Sequence, residues 1–267
     1  MRNIQLLIID PQVDFCDPKG ALYVTGAEKD TERLALMIEA HQDKIDDIRV
    51  TLDSHQKIHI AHPISWVDSA GNHPAPFTLI TEADVTGKTP KWKAYNPAWQ
   101  KRFVDYVKTL ATGGRYVLVI WPEHCLIGTA GHAVHPRLNQ ALDKWQKENF
   151  GMIDFVTKGS NPFTEHYSVV KADVPDIGDP TTNINTTFIK RLEEADVILV
   201  AGQALSHCVA NSVRDIAAEF GDEHIKKFVL LEDATSPVPG FENLADDFIK
   251  DMTAKGMQIS TTTKFFK

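Results

Sequence analysis

The sequence predicts an α/β fold: a doubly wound, mainly parallel sheet of about six strands with helices on both faces. Three observations lead there. Short runs rich in Val, Ile and Leu recur along the chain, most of them do not alternate apolar with polar residues, and amphipathic stretches separate them. A strand buried on both faces loses the alternation of a half-exposed one. Strand–helix alternation then builds right-handed βαβ units.

The apolar runs fall at 4–9, 48–52, 116–120, 152–156, 197–201, 228–231 and 257–261. The first, Ile4-Gln5-Leu6-Leu7-Ile8-Ile9, stops at Asp10. A helix over 28–45 carries Leu34, Ile38 and Ile45 on one stripe. Stretches 100–110 and 136–148 are similar, and 186–195 precedes the fifth run. Over 208–220, Val209, Val213, Ile216 and Phe220 share a face. Over 244–255, Leu244, Phe248 and Met252 do so, and Gly256 is a natural helix stop. No linker and no long repeat divides the chain, so 1–267 reads as a single domain with an insertion around 63–117. A second irregular stretch covers 162–182. In an α/β sheet such excursions lie over the carboxyl ends of the strands, where ligands bind.

Composition narrows the function. The 267 residues are 43% hydrophobic and 24% charged, ordinary globular usage that excludes a disordered or fibrous chain. Lys plus Arg number 28 against 36 Asp plus Glu, a net charge of −8 with no long basic run. Nucleic-acid and anionic-lipid partners are disfavoured, because both need clustered cations. The chain has no apolar run of membrane-spanning length, and its N-terminal run is too short for a secretion signal. Three scattered cysteines, Cys16, Cys125 and Cys208, suggest a reducing compartment. The expectation is a cytoplasmic protein that acts on a small molecule.

Cys208 has the most informative setting. The segment from Val197 to Arg214 reads strand, turn, helix, with Gly202 ending the strand and Ser206 placed to cap the helix. Cys208 then lies in the first helical turn, where the macrodipole lowers a thiol pKa and backbone N–H groups can hold an oxyanion. A buried structural thiol is the competing reading. Asp10 ends the first strand and Lys158 the fourth, and a parallel sheet gathers its carboxyl ends. A base and a cation could therefore meet the thiol there.

Asp53 and His55, two apart at the end of the second strand, face the same way in an extended chain. A carboxylate with imidazoles suits Zn²⁺, Mn²⁺ or Fe²⁺, and His124 after the third run offers a further ligand. A solvated His-rich loop is the competing reading.

Several separate segments, taken in order, resemble the nicotinamidase/pyrazinamidase branch of the isochorismatase-like cysteine hydrolases. They are Asp10-Pro11-Gln12-Val13-Asp14-Phe15, the loop from Gly20 to Ala27, Asp53-Ser54-His55 with His59, and Trp121-Pro122-Glu123-His124-Cys125. Lys158-Gly159 with Tyr167-Ser168 follows, then Gly202 to Val209. The resemblance runs from residue 4 to about 235. It implies the isochorismatase-like hydrolase fold and hydrolysis of nicotinamide to nicotinate and ammonia through a thioester. It implies Cys208 as nucleophile, Asp10 as base, Lys158 as the stabilising cation, and the backbone N–H groups of Ala204 and Cys208 as oxyanion hole. Relatives carry a cis peptide at the position of Gln203–Ala204. Asp53, His55 and His124, with His59 nearby, would bind one divalent metal ion, Zn²⁺ first and Mn²⁺ or Fe²⁺ as alternatives. Phe15, Leu22, Trp121 and Tyr167 would line the substrate pocket. A homo-oligomer, a small amide substrate, and no nucleic-acid or membrane partner complete what it implies.

The chain departs from the pattern in its long span from His59 to His124 and in Pro162-Phe163-Thr164-Glu165-His166. Two other readings remain: an amidase for N-carbamoyl or ureido compounds, whose relatives often lack the metal triad, and a non-catalytic relative. The filled catalytic positions speak against the latter.

Overall fold

The computed structural model describes residues 2–113 and 116–267. Its main sheet has β1 (Ile4–Ile9), β2 (Asp47–Asp53), β3 (Asp154–Lys158), β4 (Val197–Gly202), β5 (Phe228–Leu231) and β6 (Gln258–Ser260). The order is β6-β5-β4-β1-β2-β3, with every pairing parallel. The longer helices are α1 (Ala27–Ala40), α2 (Gln100–Gly113), α3 (Pro136–Asn149), α4 (Thr186–Glu193), α5 (Ala210–Phe220) and α6 (Glu242–Ala254).

The period-two geometry of β1 splits its side chains between two cores. Leu6 and Ile8 meet Leu34 and Ile38 of α1 and Leu138, Leu142 and Trp145 of α3. Leu7 and Ile9 belong to the opposite core, with Phe103 of α2, Phe188 of α4, Val213 of α5 and Phe248 of α6. Each such side chain contributes about 1.5–3 kcal/mol on burial. The chain moves from β1 to β2 on one side and later returns to β4 on the other. The carboxyl end of β1 is therefore the switch point of the sheet, where a crevice opens.

Several elements differ from the sequence expectation. The run at 116–120 is not a strand of the main sheet: Leu118–Val119 pairs antiparallel with Leu79–Ile80. Leu118, Val119 and Ile120 are buried, as their composition demands, but composition does not choose a strand's partner. The run at 152–156 is displaced to Asp154–Lys158, and as the edge strand it alternates half-buried and exposed residues up to the buried Lys158. Helix α1 stops at Ala40, and Ile45 reaches the same core after a separate 3-10 turn, Gln42–Lys44. Gly256, at φ +112°, ends α6 as expected.

In the 63–117 stretch, Trp66–Val67 pairs with Lys93–Ala94, and the Trp66 ring packs tilted against Phe103 with centroids 4.8 Å apart while its indole N–H donates to the Ile60 carbonyl. Residues 114 and 115 of that stretch lie outside the described residues. The Ile60 N–H donates to the Pro162 carbonyl, and the Trp121 N–H to that of Ala61. These bonds tie the two flanks of the first irregular stretch to one another and to the start of the second. Among the described residues no helix is long and apolar enough to cross a membrane.

Candidate active site

Four strand ends converge at the switch point. Asp10 follows β1, and Asp53, Lys158 and Gly202 are the last residues of β2, β3 and β4. The register sets Asp53 opposite Lys158 and Ile9 opposite Gly202. A Cβ on Gly202 would lie 2.0 Å from the Ile9 carbonyl oxygen, and its φ is +104°, so glycine alone allows this close turn out of β4.

The turn after Gly202 contains a cis Gln203–Ala204 peptide and a π-helical turn, Leu205–Val209, before α5 begins. Cys208 therefore sits on the entry to α5 rather than within its first α-helical turn. Ser206 does not cap this helix. Its hydroxyl lies 2.9 Å from His207 Nδ1 and accepts the Val238 N–H at 3.0 Å.

Lys158 is the hub. Its buried Nζ lies 2.9 Å from Asp10 Oδ2, 3.1 Å from Asp53 Oδ1 and 3.5 Å from Cys208 Sγ. Burial opposes its charge, but the two carboxylates outweigh burial and hold its pKa well above the ordinary lysine value. Asp10 adopts φ +43°, a left-handed conformation that aspartate tolerates better than most residues. The Thr51 hydroxyl accepts the Asp10 N–H at 3.0 Å and donates to its Oδ1. Burial raises the Asp10 carboxyl, with Lys158 opposing. Burial also pushes the Cys208 thiol well up, against Lys158 and with Asp10 and Asp53 adding to it. The expectation of a thiol lowered by the helix start is thus reversed, because desolvation at this depth exceeds the pull of one cation shared with two carboxylates.

Beside this trio lies a cluster of donors. Asp53 Oδ2 is 2.9 Å from His55 Nε2 and 3.4 Å from His124 Nε2. His55 donates its Nδ1–H to the Gly159 carbonyl at 3.1 Å, and His124 donates its own to that of Pro122 at 2.8 Å. Both Nε2 atoms therefore converge on Asp53, and the three donor atoms lie within 4.8 Å of one another. One carboxylate and two imidazoles, each with its second nitrogen fixed by a carbonyl, fit a divalent ion. Asp53 itself prefers a cation there: burial raises its carboxyl, but His55 and Lys158 outweigh burial and hold it well below the usual range.

His59 is buried beside His55, with ring centroids 4.5 Å apart. Both its nitrogens are occupied: Nε2–H donates to the Thr164 carbonyl at 3.1 Å, and Nδ1 accepts the Ala61 N–H at 3.2 Å. It stands next to the donor trio, and with His55 and Glu165 it forms a second close group.

Phe15, Leu22, Trp121 and Tyr167 line a cavity of about 30 Å³ that reaches Cys208, Asp53, His124 and Ala204. Trp121 donates its indole N–H to the Tyr167 hydroxyl at 3.0 Å. Two further polar residues line the cavity that sequence reasoning did not assign. Glu165 accepts the His166 N–H at Oε1, while its buried Oε2 has no partner. His207 sits among Tyr116, Trp121, Tyr167 and Phe241, and burial pushes its pKa down to about 4, so the ring is neutral. Glu165 falls in the tract where the chain departs from its resemblance. His207 had no signal beyond standing next to Cys208.

Neither a protein-family model nor a curated protein sequence matches the chain. Solved structures do match over almost all of it. The yeast nicotinamidase Pnc1p bound to the inhibitor nicotinaldehyde superposes with a TM-score of 0.64 at 19% identity, over 97% of this chain and 99% of that one. The chain has the nicotinamidase fold. The Acinetobacter baumanii nicotinamidase/pyrazinamidase matches at 0.64 and 20%, over 98% of both chains. The Pyrococcus horikoshii pyrazinamidase in complex with zinc matches at 0.56 and 19%, over 97% and 99%. Within the nicotinamidase fold, the switch point of this chain holds the Asp10–Lys158–Cys208 cluster and the Asp53–His55–His124 trio side by side.

Proposed function

We propose that the chain is a metal-dependent cysteine amidohydrolase that converts nicotinamide to nicotinate and ammonia through a thioester on Cys208. The observation that carries this reading is the placement of Lys158 Nζ, within 3.5 Å of Asp10, Asp53 and Cys208 alike, on a nicotinamidase fold.

In the resting site Cys208 is a thiol beside an Asp10 carboxylate neutralised by Lys158. Asp10 Oδ2 makes no well-aligned hydrogen bond, so its lone pair is open to the thiol proton. As Sγ attacks the amide carbon, that proton passes to Asp10. The carbonyl π pair moves onto oxygen, which the Ala204 and Cys208 N–H groups would receive; one such donor is worth roughly 3–4 kcal/mol. Asp10 then returns the proton to the departing nitrogen, the C–N bond breaks, and ammonia leaves a thioester. Water adds to the thioester with Asp10 as base, the C–S bond breaks, and the thiolate is reprotonated.

Phe15, Leu22, Trp121 and Tyr167 would hold the aromatic ring and exclude water. Asp53, His55 and His124 would hold the divalent ion, which supplies a Lewis-acid position facing the same cavity.

Ammonia release from nicotinamide tests the reading, with wild type, Cys208→Ala and a chelator-treated sample side by side. Turnover that is lost in Cys208→Ala and falls on chelation is expected. Metal-replete wild type that releases no ammonia overturns the nicotinamide assignment.

A further inference from the structure

Asp30, Gln203 and Ser236, none of which lines the Cys208 cavity, meet at the turn that leaves β4. Asp30 sits in the first turn of α1 and is only 3% exposed. Its Oδ2 accepts from Gln203 Nε2 at 3.0 Å and from the Ser236 hydroxyl at 2.6 Å, and its Oδ1 accepts from Arg33 at 2.6 Å. Each of these partners is a donor, a set that only the ionised carboxylate satisfies. Burial raises the Asp30 carboxyl, and the three donors oppose that rise. The start of a helix favours the negative charge as well. Two of the three partners come from distant parts of the chain, so the carboxylate serves the turn rather than α1.

The network continues into the backbone. Gln203 Oε1 accepts the Ser236 N–H at 3.3 Å, and the Ser236 carbonyl accepts the Leu205 N–H at 2.9 Å. The Ile9 carbonyl accepts the Gln203 N–H at 2.7 Å. Residues 203 and 205 are thus tied down on either side of Ala204. Ala204 lines the Cys208 cavity, and its carbonyl accepts from the N–H groups of His207 and Val209. Among the described residues nothing accepts its own N–H. An oxyanion donor works only if it is held in place before the charge develops, and the flanking residues set the direction of this one.

We propose that Asp30 is a positioning residue for the oxyanion turn: through Gln203 and Ser236 it fixes residues 203–205, and so the Ala204 N–H that would receive the oxyanion. The proposal rests on the amidohydrolase reading above. It adds a residue that touches neither substrate nor metal and acts from the helix after β1.

The test compares wild type with Asp30→Asn and Ser236→Ala. Asp30→Asn keeps the shape but turns one acceptor into a donor facing donors, and Ser236→Ala removes one partner of the carboxylate. The first readout is exchange of the Leu205 amide hydrogen by NMR, which is expected to quicken by about tenfold in Asp30→Asn, the worth of one hydrogen bond, while amides of α3 are unchanged. The second is ammonia release from nicotinamide, per folded molecule. Asp30→Asn should lower kcat by about 10–100-fold with KM within about twofold, because a displaced oxyanion donor is missed in the transition state alone. Ser236→Ala should move both readouts the same way by less, and it decides if Asp30→Asn does not fold. A purely structural role would lower the folded fraction and leave kcat per folded molecule intact. The proposal is overturned if the Leu205 amide exchanges at the wild-type rate in both variants, or if the loss falls on KM with kcat unchanged. Should wild type release no ammonia, the nicotinamide reading fails by itself, and Leu205 exchange still decides whether Asp30 holds the turn.

Discussion

Asp53 and Lys158 face one another in the β2–β3 register, and the Asp53 carboxylate serves two sides at once. Oδ1 meets Lys158 Nζ at 3.1 Å, and Oδ2 meets His55 Nε2 at 2.9 Å. One side chain thus links the thiol–acid–amine cluster to the imidazole cluster. Removing Lys158 leaves Asp10 and Asp53 buried without their shared cation. Lys158→Met should cost about 3–5 kcal/mol of stability, because an unpaired buried charge is left behind. It should also lower amide turnover by at least about a hundredfold. Urea denaturation and ammonia release read the two effects separately.

Gly159 sits against this junction. At φ +82°, a Cβ there would lie 2.8 Å from Asp53 Oδ1 and 3.0 Å from His55 Cε1. Gly159→Ala must push the carboxylate or the ring aside. Loss of about 10–100-fold in metal affinity is expected, the usual cost of disturbing a ligand's support. Metal content after dialysis against a graded chelator series measures it.

The Trp121–Tyr167 hydrogen bond closes one side of the Cys208 cavity. Tyr167→Phe strands a buried indole N–H, at about 1–3 kcal/mol. The expected result is a raised KM for nicotinamide and a thermal midpoint lowered by a few degrees, read in steady-state kinetics and calorimetry. Unchanged KM would remove Tyr167 from the substrate pocket.

His207 gives a pH signature. Its folded-state pKa of about 4 lies below the value near 6.5 of an unfolded histidine. The unfolded chain takes its proton first, so this residue's contribution is lost as pH falls from about 6.5 to about 4, at up to about 1.4 kcal/mol per pH unit. His207→Phe should flatten the wild-type stability–pH slope in that window by up to one proton. Urea midpoints at a series of pH values test it, and parallel slopes would contradict a neutral buried ring.

Much of this was legible in the sequence because it follows from short-range chemistry. Buried strands such as 4–9 and 197–201 declare themselves by unbroken apolar runs, and Asp10, Asp53 and Lys158 declare themselves by ending such runs. What was not legible depends on partners distant in sequence. Leu118–Val119 is as apolar as a central strand, yet its partner is Leu79–Ile80 inside the insertion. Ser206 has the chemistry of a cap, but Val238 and His207 take its hydroxyl. The thiol of Cys208 depends on total burial, which position on a helix does not reveal. Glu165 enters the cavity from the irregular 162–182 stretch, and His207 from the π-helical turn that follows β4.

The central claim is that the acyl group of the amide rests on Cys208 before water releases it, and hydroxylamine partitioning tests this most directly. With nicotinamide and rising hydroxylamine, the account predicts nicotinohydroxamate at the expense of nicotinate, and neither product from Cys208→Ala. Ammonia release that yields nicotinate alone at every hydroxylamine concentration would contradict it, since water would then attack the amide without a thioester.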